Sequence, residues 1–96
     1  MDRLERPDVR VIVRILGVLC EREPRMRPTR LQQAARANYT QLSRYLEVMQ
    51  ERGLVSIVPD DNGGRWVEIT PKGYDAHRFL LRGIRDLVVG TEPSVL

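Results

Sequence analysis

The spacing of apolar positions changes along the chain and divides it into segments. In the first segment, residues 7–22, the run of apolar side chains is interrupted at Arg10, Arg14, Gly17 and Glu21, which fall on one narrow side of a helical wheel. This pattern predicts a helix whose apolar arc is wider than a surface helix needs. We therefore expect the helix to be covered from two directions, by the core of its own domain and by a second subunit.

A short helix is predicted next, over residues 28–37. It follows a proline-bounded break at residues 23–28. Pro28 suits the first turn of a helix, because the N–H that proline lacks has no partner there. Leu31, Ala34 and Ala35 give the helix a small apolar face.

A third helix is predicted over residues 39–52. Its apolar residues recur at i, i+3, i+4 and i+7, so the expected buried stripe consists of Leu42, Tyr45, Leu46 and Met49. Asn38 tolerates the left-handed conformation that ends the preceding helix, and either Asn38 or Thr40 can cap this one. Gly53 accepts a positive φ and is expected to end it.

A β-hairpin and a final helix complete the chain. Residues 54–59 and 65–70 are rich in β-branched and aromatic side chains, and the DDNGG between them is a strong turn signal. Thr70 is expected to cap the final helix and Pro71 to open it. The residues after this helix, 90–96, are expected to form a frayed tail.

This order of elements predicts a mainly α fold with a small β-hairpin, an α+β architecture. A short helix, a tight turn and an amphipathic helix over residues 28–52 form a helix-turn-helix, and the hairpin directly after it, over residues 54–70, is a wing. Together with the first helix (7–22) and a C-terminal helix (71–89), residues 1–96 are expected to make one winged helix-turn-helix domain.

Composition adds a basic balance and argues against several functional classes. The net charge is +3 and the isoelectric point is about 9.6, which favours an anionic partner. The basic residues are arginines apart from Lys72. Arginine makes forked contacts to phosphate and guanine, although a GC-rich coding sequence would produce the same bias. One cysteine and one histidine cannot assemble a metal site, and no catalytic pair or cofactor motif occurs, so we expect neither an enzyme nor a cofactor.

Four short motifs resemble a known group of proteins: NY at 38–39, YL at 45–46, ERGLV at 51–55 and ITPKG at 69–73. Around a short hairpin, they are similar to archaeal winged helix-turn-helix proteins, which include small transcriptional regulators and chromatin-type proteins that dimerise through a C-terminal helix. The resemblance to MarR-like and PadR-like regulators is more distant. It implies a homodimer that binds double-stranded DNA, with the third helix in the major groove and the wing at the backbone or the minor groove.

The resemblance places the DNA-reading residues at the start of the third helix, where they are Tyr39, Thr40, Gln41, Ser43 and Arg44. Recognition helices contact bases mainly through their N-terminal residues. Arginine can pair with guanine and glutamine with adenine, while hydroxyl groups can bond to either base or phosphate. These residue types therefore agree with a reading role.

Contacts to the DNA backbone are expected from arginines outside the third helix. Arg27, Arg30 and Arg36 flank the second helix, and Arg65 is the basic residue of the wing. The tip of the wing also carries two adjacent aspartates at residues 60–61. A doubly acidic tip is expected to be repelled by phosphate, which argues against insertion of the wing into DNA.

The last helix is expected to form most of a dimer interface, because its apolar residues follow steps of three and four that resemble a short coiled-coil seam. With one side of the first helix, the predicted interface consists of Val11, Ile15, Val18, His77, Leu80, Leu81, Ile84, Leu87 and Val88. The alternative is that this arc packs only on the first helix of the same chain.

The sequence as a whole predicts a dimeric transcriptional regulator that binds double-stranded DNA. No apolar run approaches the roughly 20 residues of a membrane span, and the N-terminus lacks the apolar core of a secretory signal, so a cytoplasmic, nucleoid-associated location is expected. Two alternatives stay open: non-specific, chromatin-type packaging of DNA, and a module that binds a protein partner instead of DNA. The acidic wing and the broad apolar helices favour the second of these.

Overall fold

The computed structural model describes residues 6–89, and within the last helix it describes the backbone, but not the side chains, of residues 84 and 86–89. The elements in chain order are α1 (Val9–Glu21), β1 (Arg25–Met26), α2 (Pro28–Ala35), α3 (Tyr39–Glu51), β2 (Val55–Pro59), β3 (Arg65–Ile69) and α4 (Pro71–Val89). The predicted fold class and the predicted order, with a hairpin between the third and fourth helices, are confirmed. The predicted tail, residues 90–96, lies outside the described residues.

The sheet contains one strand more than the sequence predicted. β1 lies in the segment that was interpreted as a break, and it pairs antiparallel with β3, with Arg25 opposite Glu68 and Met26 opposite Val67. The strand order is therefore β1-β3-β2, with β3 in the middle. A two-residue strand shows no alternation in the sequence, so only its pairing with β3 reveals it.

The turn between α2 and α3 differs from the prediction in one residue. Arg36 takes the left-handed conformation, with φ 57° and ψ 46°, and ends α2. Asn38, for which the left-handed conformation was one expectation, is extended; it caps α3, and its side-chain oxygen accepts a hydrogen bond of 2.7 Å from the backbone N–H of Gln41. Gly53 has the expected positive φ, 76°, after the end of α3.

The core lies between the helices and the inner face of the sheet. The predicted stripe of α3 is buried, as are side chains from α1, β1, α2 and both strands of the hairpin. At the edge of the core, the hydroxyl of Tyr45 accepts a hydrogen bond of 2.8 Å from the backbone N–H of Asp8. The start of α1 is thereby attached to the buried side of α3.

The wide apolar arc of α1 is covered largely by its own chain. α1 packs against α2, α4 and β3. Ile15 has no exposed surface and Val11 is 7% exposed, so both belong to the core of the monomer. The expectation that these two residues lie at a dimer interface is corrected, because a side chain that is already enclosed has no surface to offer a second subunit. Val18 is half-buried.

A hydrogen-bonded junction connects the end of α3 to the start of α4. The hydroxyl of Thr70 donates to the carbonyl oxygen of Gly53 at 2.6 Å and accepts from the backbone N–H of Gly73 at 2.9 Å. Thr70 is therefore the N-cap that the sequence predicted. Gly73 is buried against the backbone carbonyl of Leu54. The first turn of α4 therefore packs directly against the segment that follows α3.

Candidate nucleic-acid interface

The first half of α3 is open to solvent on the side away from the core. Tyr39 is 61% exposed, and Thr40, Ser43 and Arg44 are exposed as well. Gln41, which was predicted to belong to the same face, is half-buried. The buried stripe of α3 fixes this orientation, because burying residues at helical spacing leaves the opposite side of the helix to the solvent.

A groove with a volume of about 620 Å³ runs between this face of α3 and the wing. Its floor is apolar and includes Leu46, Ile57 and Val67. The groove brings together five of the nine residues predicted to contact DNA: Tyr39, Thr40, Ser43, Arg44 and Arg65. The residues from α3 and the residue from β3 lie on opposite walls, an arrangement that sequence spacing alone did not predict.

The charge of the groove is mixed and mainly basic. Arg44 and Arg65 contribute guanidinium groups from its two walls, and Glu47 contributes a carboxylate. Both arginine side chains are exposed. An exposed groove with two guanidinium groups suits an anion, and the hydroxyl groups of Thr40 and Ser43 add neutral hydrogen-bonding groups beside them.

The tip of the wing is less acidic than the sequence indicated. Asp60 forms an ion pair with Arg27, and its side chain is only 14% exposed. The hydrogen bond from Arg27 lowers the pKa of the Asp60 carboxyl, with a further contribution from the backbone N–H of Asn62. Asp60 is therefore ionised at neutral pH and compensated by a neighbouring cation, whereas Asp61 is exposed.

The remaining predicted backbone contacts lie on and after α2. Arg30 is on the solvent side of α2, and its guanidinium lies 3.5 Å from the carboxylate of Glu23. Arg36 is exposed at the turn between α2 and α3. Both lie outside the groove, Arg30 on α2 and Arg36 directly after it. The guanidinium of Arg27 is paired with Asp60.

A second surface is formed by α4, which packs on α1. Gly17 of α1 allows a close approach there, since a Cβ atom at this position would lie 3.4 Å from Nε2 of His77. His77 and Leu80 are half-buried by this packing, whereas Leu81 remains 39% exposed. Three further residues of the predicted interface, Ile84, Leu87 and Val88, lie outside the described side chains.

The described part of the chain contains few groups suited to catalysis. No group of three or more histidine, cysteine, aspartate or glutamate side chains that could hold a metal ion is present among the described residues. Burial raises the pKa of the Cys20 thiol, which disfavours the nucleophilic thiolate. Among residues 6–89, no helix is long and apolar enough to cross a membrane.

Comparisons with known proteins agree with this architecture. The sequence matches the family model described as winged helix-turn-helix over residues 5–87. No curated protein sequence matches. The match includes the helix-turn-helix, the wing and almost all of α4, so it covers every element of the fold.

Solved structures with the same fold include two described as DNA-binding proteins. Sso10a-2 from Sulfolobus solfataricus is 24% identical, with a TM-score of 0.71 over 88% of this chain and 87% of that chain. F93 from STIV is 16% identical, with a TM-score of 0.76 over 86% of this chain and 96% of that chain. At these identities the likeness shows a shared fold.

A transcriptional regulator of the MarR family from Silicibacter pomeroyi is 28% identical to this chain, with a TM-score of 0.70. The alignment covers 86% of this chain and 59% of the regulator. This chain therefore spans about three fifths of the length of that protein.

Proposed function

The chain belongs to the winged helix-turn-helix family, and from this premise we propose that it is a transcriptional regulator that binds double-stranded DNA as a homodimer. The observation that carries the proposal is the groove between α3 and the wing, with exposed hydroxyl and guanidinium groups on its walls. The likeness to structures described as DNA-binding proteins and to a MarR-family regulator supports it. The proposed location is the cytoplasm, in association with the nucleoid.

In this proposal, the first half of α3 enters the major groove. Recognition helices contact base edges mainly through their N-terminal residues, and Thr40, Ser43 and Arg44 are exposed there. Arg44 is assigned to the base-reading role, because a guanidinium can donate two parallel hydrogen bonds to guanine. Gln41 is half-buried, so its amide reaches a base less readily, and Tyr39 is placed at the backbone.

Three arginines of each protomer are proposed to contact phosphates: Arg30, Arg36 and Arg65. They lie before, beside and opposite the start of α3, so they surround the proposed reading helix. Six phosphate contacts per dimer predict a slope of about −5 for the logarithm of the affinity against the logarithm of the salt concentration.

The experiment that tests the function is fluorescence anisotropy of the protein with labelled duplex DNA of random sequence, repeated at several salt concentrations. Binding with the expected salt dependence would support the proposal. A subsequent selection of preferred sequences would separate a regulator from a packaging protein, because the latter binds every duplex with similar affinity. Absence of binding at low salt would contradict both.

Arg36 offers a test in which stability and DNA affinity change in opposite directions. The left-handed conformation strains every residue with a Cβ atom, so Arg36→Gly is expected to raise the free energy of unfolding by roughly 0.5–1 kcal/mol. Loss of a phosphate contact is expected to weaken DNA binding and to reduce the salt slope by about 1 per protomer. Urea denaturation and anisotropy measure the two effects.

The control for this prediction is Arg36→Ala, which removes the same charge but keeps the Cβ atom and the backbone strain. We expect it to weaken DNA binding as much as Arg36→Gly does, without the gain in stability. Unchanged DNA binding by both variants would remove Arg36 from the proposed interface.

The proposed dimer interface consists of the surface of α4 beside its contact with α1, which includes Leu81, together with the partly covered Val18. Leu81 is exposed in the monomer, so Leu81→Glu is expected to disrupt the dimer while leaving the monomer folded. Light scattering coupled to size-exclusion chromatography should show a monomer at concentrations where the unmodified protein is a dimer. Phe79, which is 76% exposed on the other side of α4, provides the control variant Phe79→Glu. A dimer that tolerates Leu81→Glu would contradict this interface.

A protein-interaction module is the second candidate function, and the exposure of Phe79 favours it. Single exposed apolar side chains are common on protein surfaces, but Phe79 at 76% exposure offers a large apolar contact to a partner. This candidate predicts no salt-sensitive DNA binding by the purified protein. The anisotropy experiment therefore distinguishes it from the proposed regulator.

A further inference from the structure

Three parts of the fold meet at the side chain of Arg27, which directly follows β1. Its guanidinium forms an ion pair with Asp60 at the tip of the wing. The same group lies over the ring of Trp66 of β3, with Cζ 3.9 Å from the ring centroid. Its Nη1 donates a hydrogen bond of 3.4 Å to the backbone carbonyl of Arg65. The side chain of Arg27 therefore contacts the tip of the wing, the ring of Trp66 on the middle strand, and the backbone of Arg65, which is a proposed DNA contact.

The wing has space for the side chain of Arg27 because residue 64 is a glycine. A Cβ atom at Gly64 would lie 2.8 Å from Nη1 of Arg27. Arg25 approaches the ring of Trp66 as well, at 4.4 Å from the centroid, and is itself paired with Glu68 at 3.3 Å. A guanidinium over an aromatic face is held by electrostatic attraction to the ring, so the stack adds to the ion pair.

The outer half of the hairpin lacks the support that its inner half receives from the sheet. β1 pairs with β3 only at Val67 and Glu68, so the hairpin pairs Val58–Trp66 and Pro59–Arg65 have no third strand beside them. A two-stranded ribbon is marginally stable by itself. Arg27 is the next residue after β1, and its contacts occupy the place where a longer β1 would have continued.

We propose that Arg27 is a positioning residue. Its contacts with Asp60 and Trp66, which we call the latch, hold the wing at the start of α2 and thereby orient Arg65 toward the DNA. The proposal rests on the proposed function, and it assigns Arg27 a role other than the phosphate contact that the sequence predicted. It also explains why a carboxylate at the tip is compatible with DNA binding. Asp60 holds the wing in place, and its charge is compensated by Arg27.

The competing role for Arg27 makes the opposite prediction. If Arg27 contacted phosphate directly, Asp60 would compete with the DNA for the same guanidinium. Removing the charge of Asp60 would then release Arg27 and strengthen binding. If Arg27 positions the wing, removing that charge weakens binding, even though the variant is more positive.

The deciding comparison is Asp60→Asn against Asp61→Asn. Both variants remove one negative charge from the wing tip, and only the first breaks the ion pair with Arg27. We expect Asp60→Asn to lower the affinity for duplex DNA about fivefold in fluorescence anisotropy, and Asp61→Asn to leave it unchanged or slightly higher. Equal or tighter binding by Asp60→Asn would overturn the proposal, and so would an equal loss of affinity in both variants.

A second measurement reports on the latch without DNA. Trp66 is the single tryptophan of the chain, so the intrinsic fluorescence above the tyrosine band comes from this ring. We expect acrylamide to quench it more strongly in Asp60→Asn and Arg27→Ala than in Asp61→Asn. If the unmodified protein bound no DNA, the proposed function would fail, and the quenching would still decide whether the latch holds the wing. Identical quenching in all four proteins would overturn the latch itself.

Discussion

Arg44→Glu is expected to reduce the affinity for duplex DNA by at least about 100-fold, measured by fluorescence anisotropy at low salt. Arg44 lies on the α3 wall of the groove, where a base or phosphate contact would be made. Loss of one specific arginine contact accounts for about 1–3 kcal/mol, and the new carboxylate adds repulsion of the DNA backbone. The substitution is at an exposed position of a helix, so the fold should be preserved.

The matched control for this prediction is Arg14→Glu. It makes the same change in net charge on the exposed side of α1, away from the groove. If binding depended only on total charge, the two variants would lose affinity equally. We expect Arg14→Glu to retain most of the affinity, and a comparable loss in both variants would contradict an interface located on α3.

The second large effect is expected in stability. Gly73→Ala should lower the free energy of unfolding by about 3 kcal/mol or more, and the Tm by roughly 10–20 °C. A Cβ atom at this position would overlap the carbonyl oxygen of Leu54 and lie 2.7 Å from Cγ1 of Ile69. Because the oxygen that the Cβ atom would overlap belongs to the backbone, the overlap is relieved only if the start of α4 moves away from the end of α3. Urea denaturation at a fixed protein concentration measures the effect, since the proposed dimerisation would make the apparent stability depend on concentration.

Gly83→Ala is the control for Gly73→Ala, because it makes the same change in the same helix. Apart from its own stretch of helix, no described atom lies within 4 Å of the Cβ position at Gly83. Alanine has the higher helix propensity, so this variant should be more stable by up to about 1 kcal/mol. A similar response of both variants would show that helix propensity, and not the contact with Leu54, determines the effect at position 73.

Several parts of the fold could be predicted because their causes are local. The buried stripe of α3 follows from apolar residues at helical spacing, and the structure buries all four of its predicted members. The cap at Thr70 and the positive φ of Gly53 follow from the chemistry of single residues next to a helix end. The hairpin follows from two β-branched runs around a glycine-containing turn.

Other parts depended on neighbours that are distant in the sequence. β1 exists because β3 lies beside it, and Arg36 takes the left-handed conformation that was expected at Asn38. Glycine and asparagine are the usual residues for that conformation, so sequence preference pointed to the wrong position in the turn. The packing of α2 and α3 against the core overrides this preference.

The sequence by itself determined the element order, the stripe that orients α3 and the basic residue types near its start, because each depends on helical period, turn chemistry or composition. The tertiary structure alone decided which of those residues share a groove, that Ile15 of α1 is buried within its own chain, and that Arg27 pairs with Asp60. Charge and hydrophobicity are properties of a residue and can be read along the chain. Distance, burial and the choice of an ion-pair partner arise only when separate segments are packed together, which is why the wing could be predicted from the sequence and its latch could not.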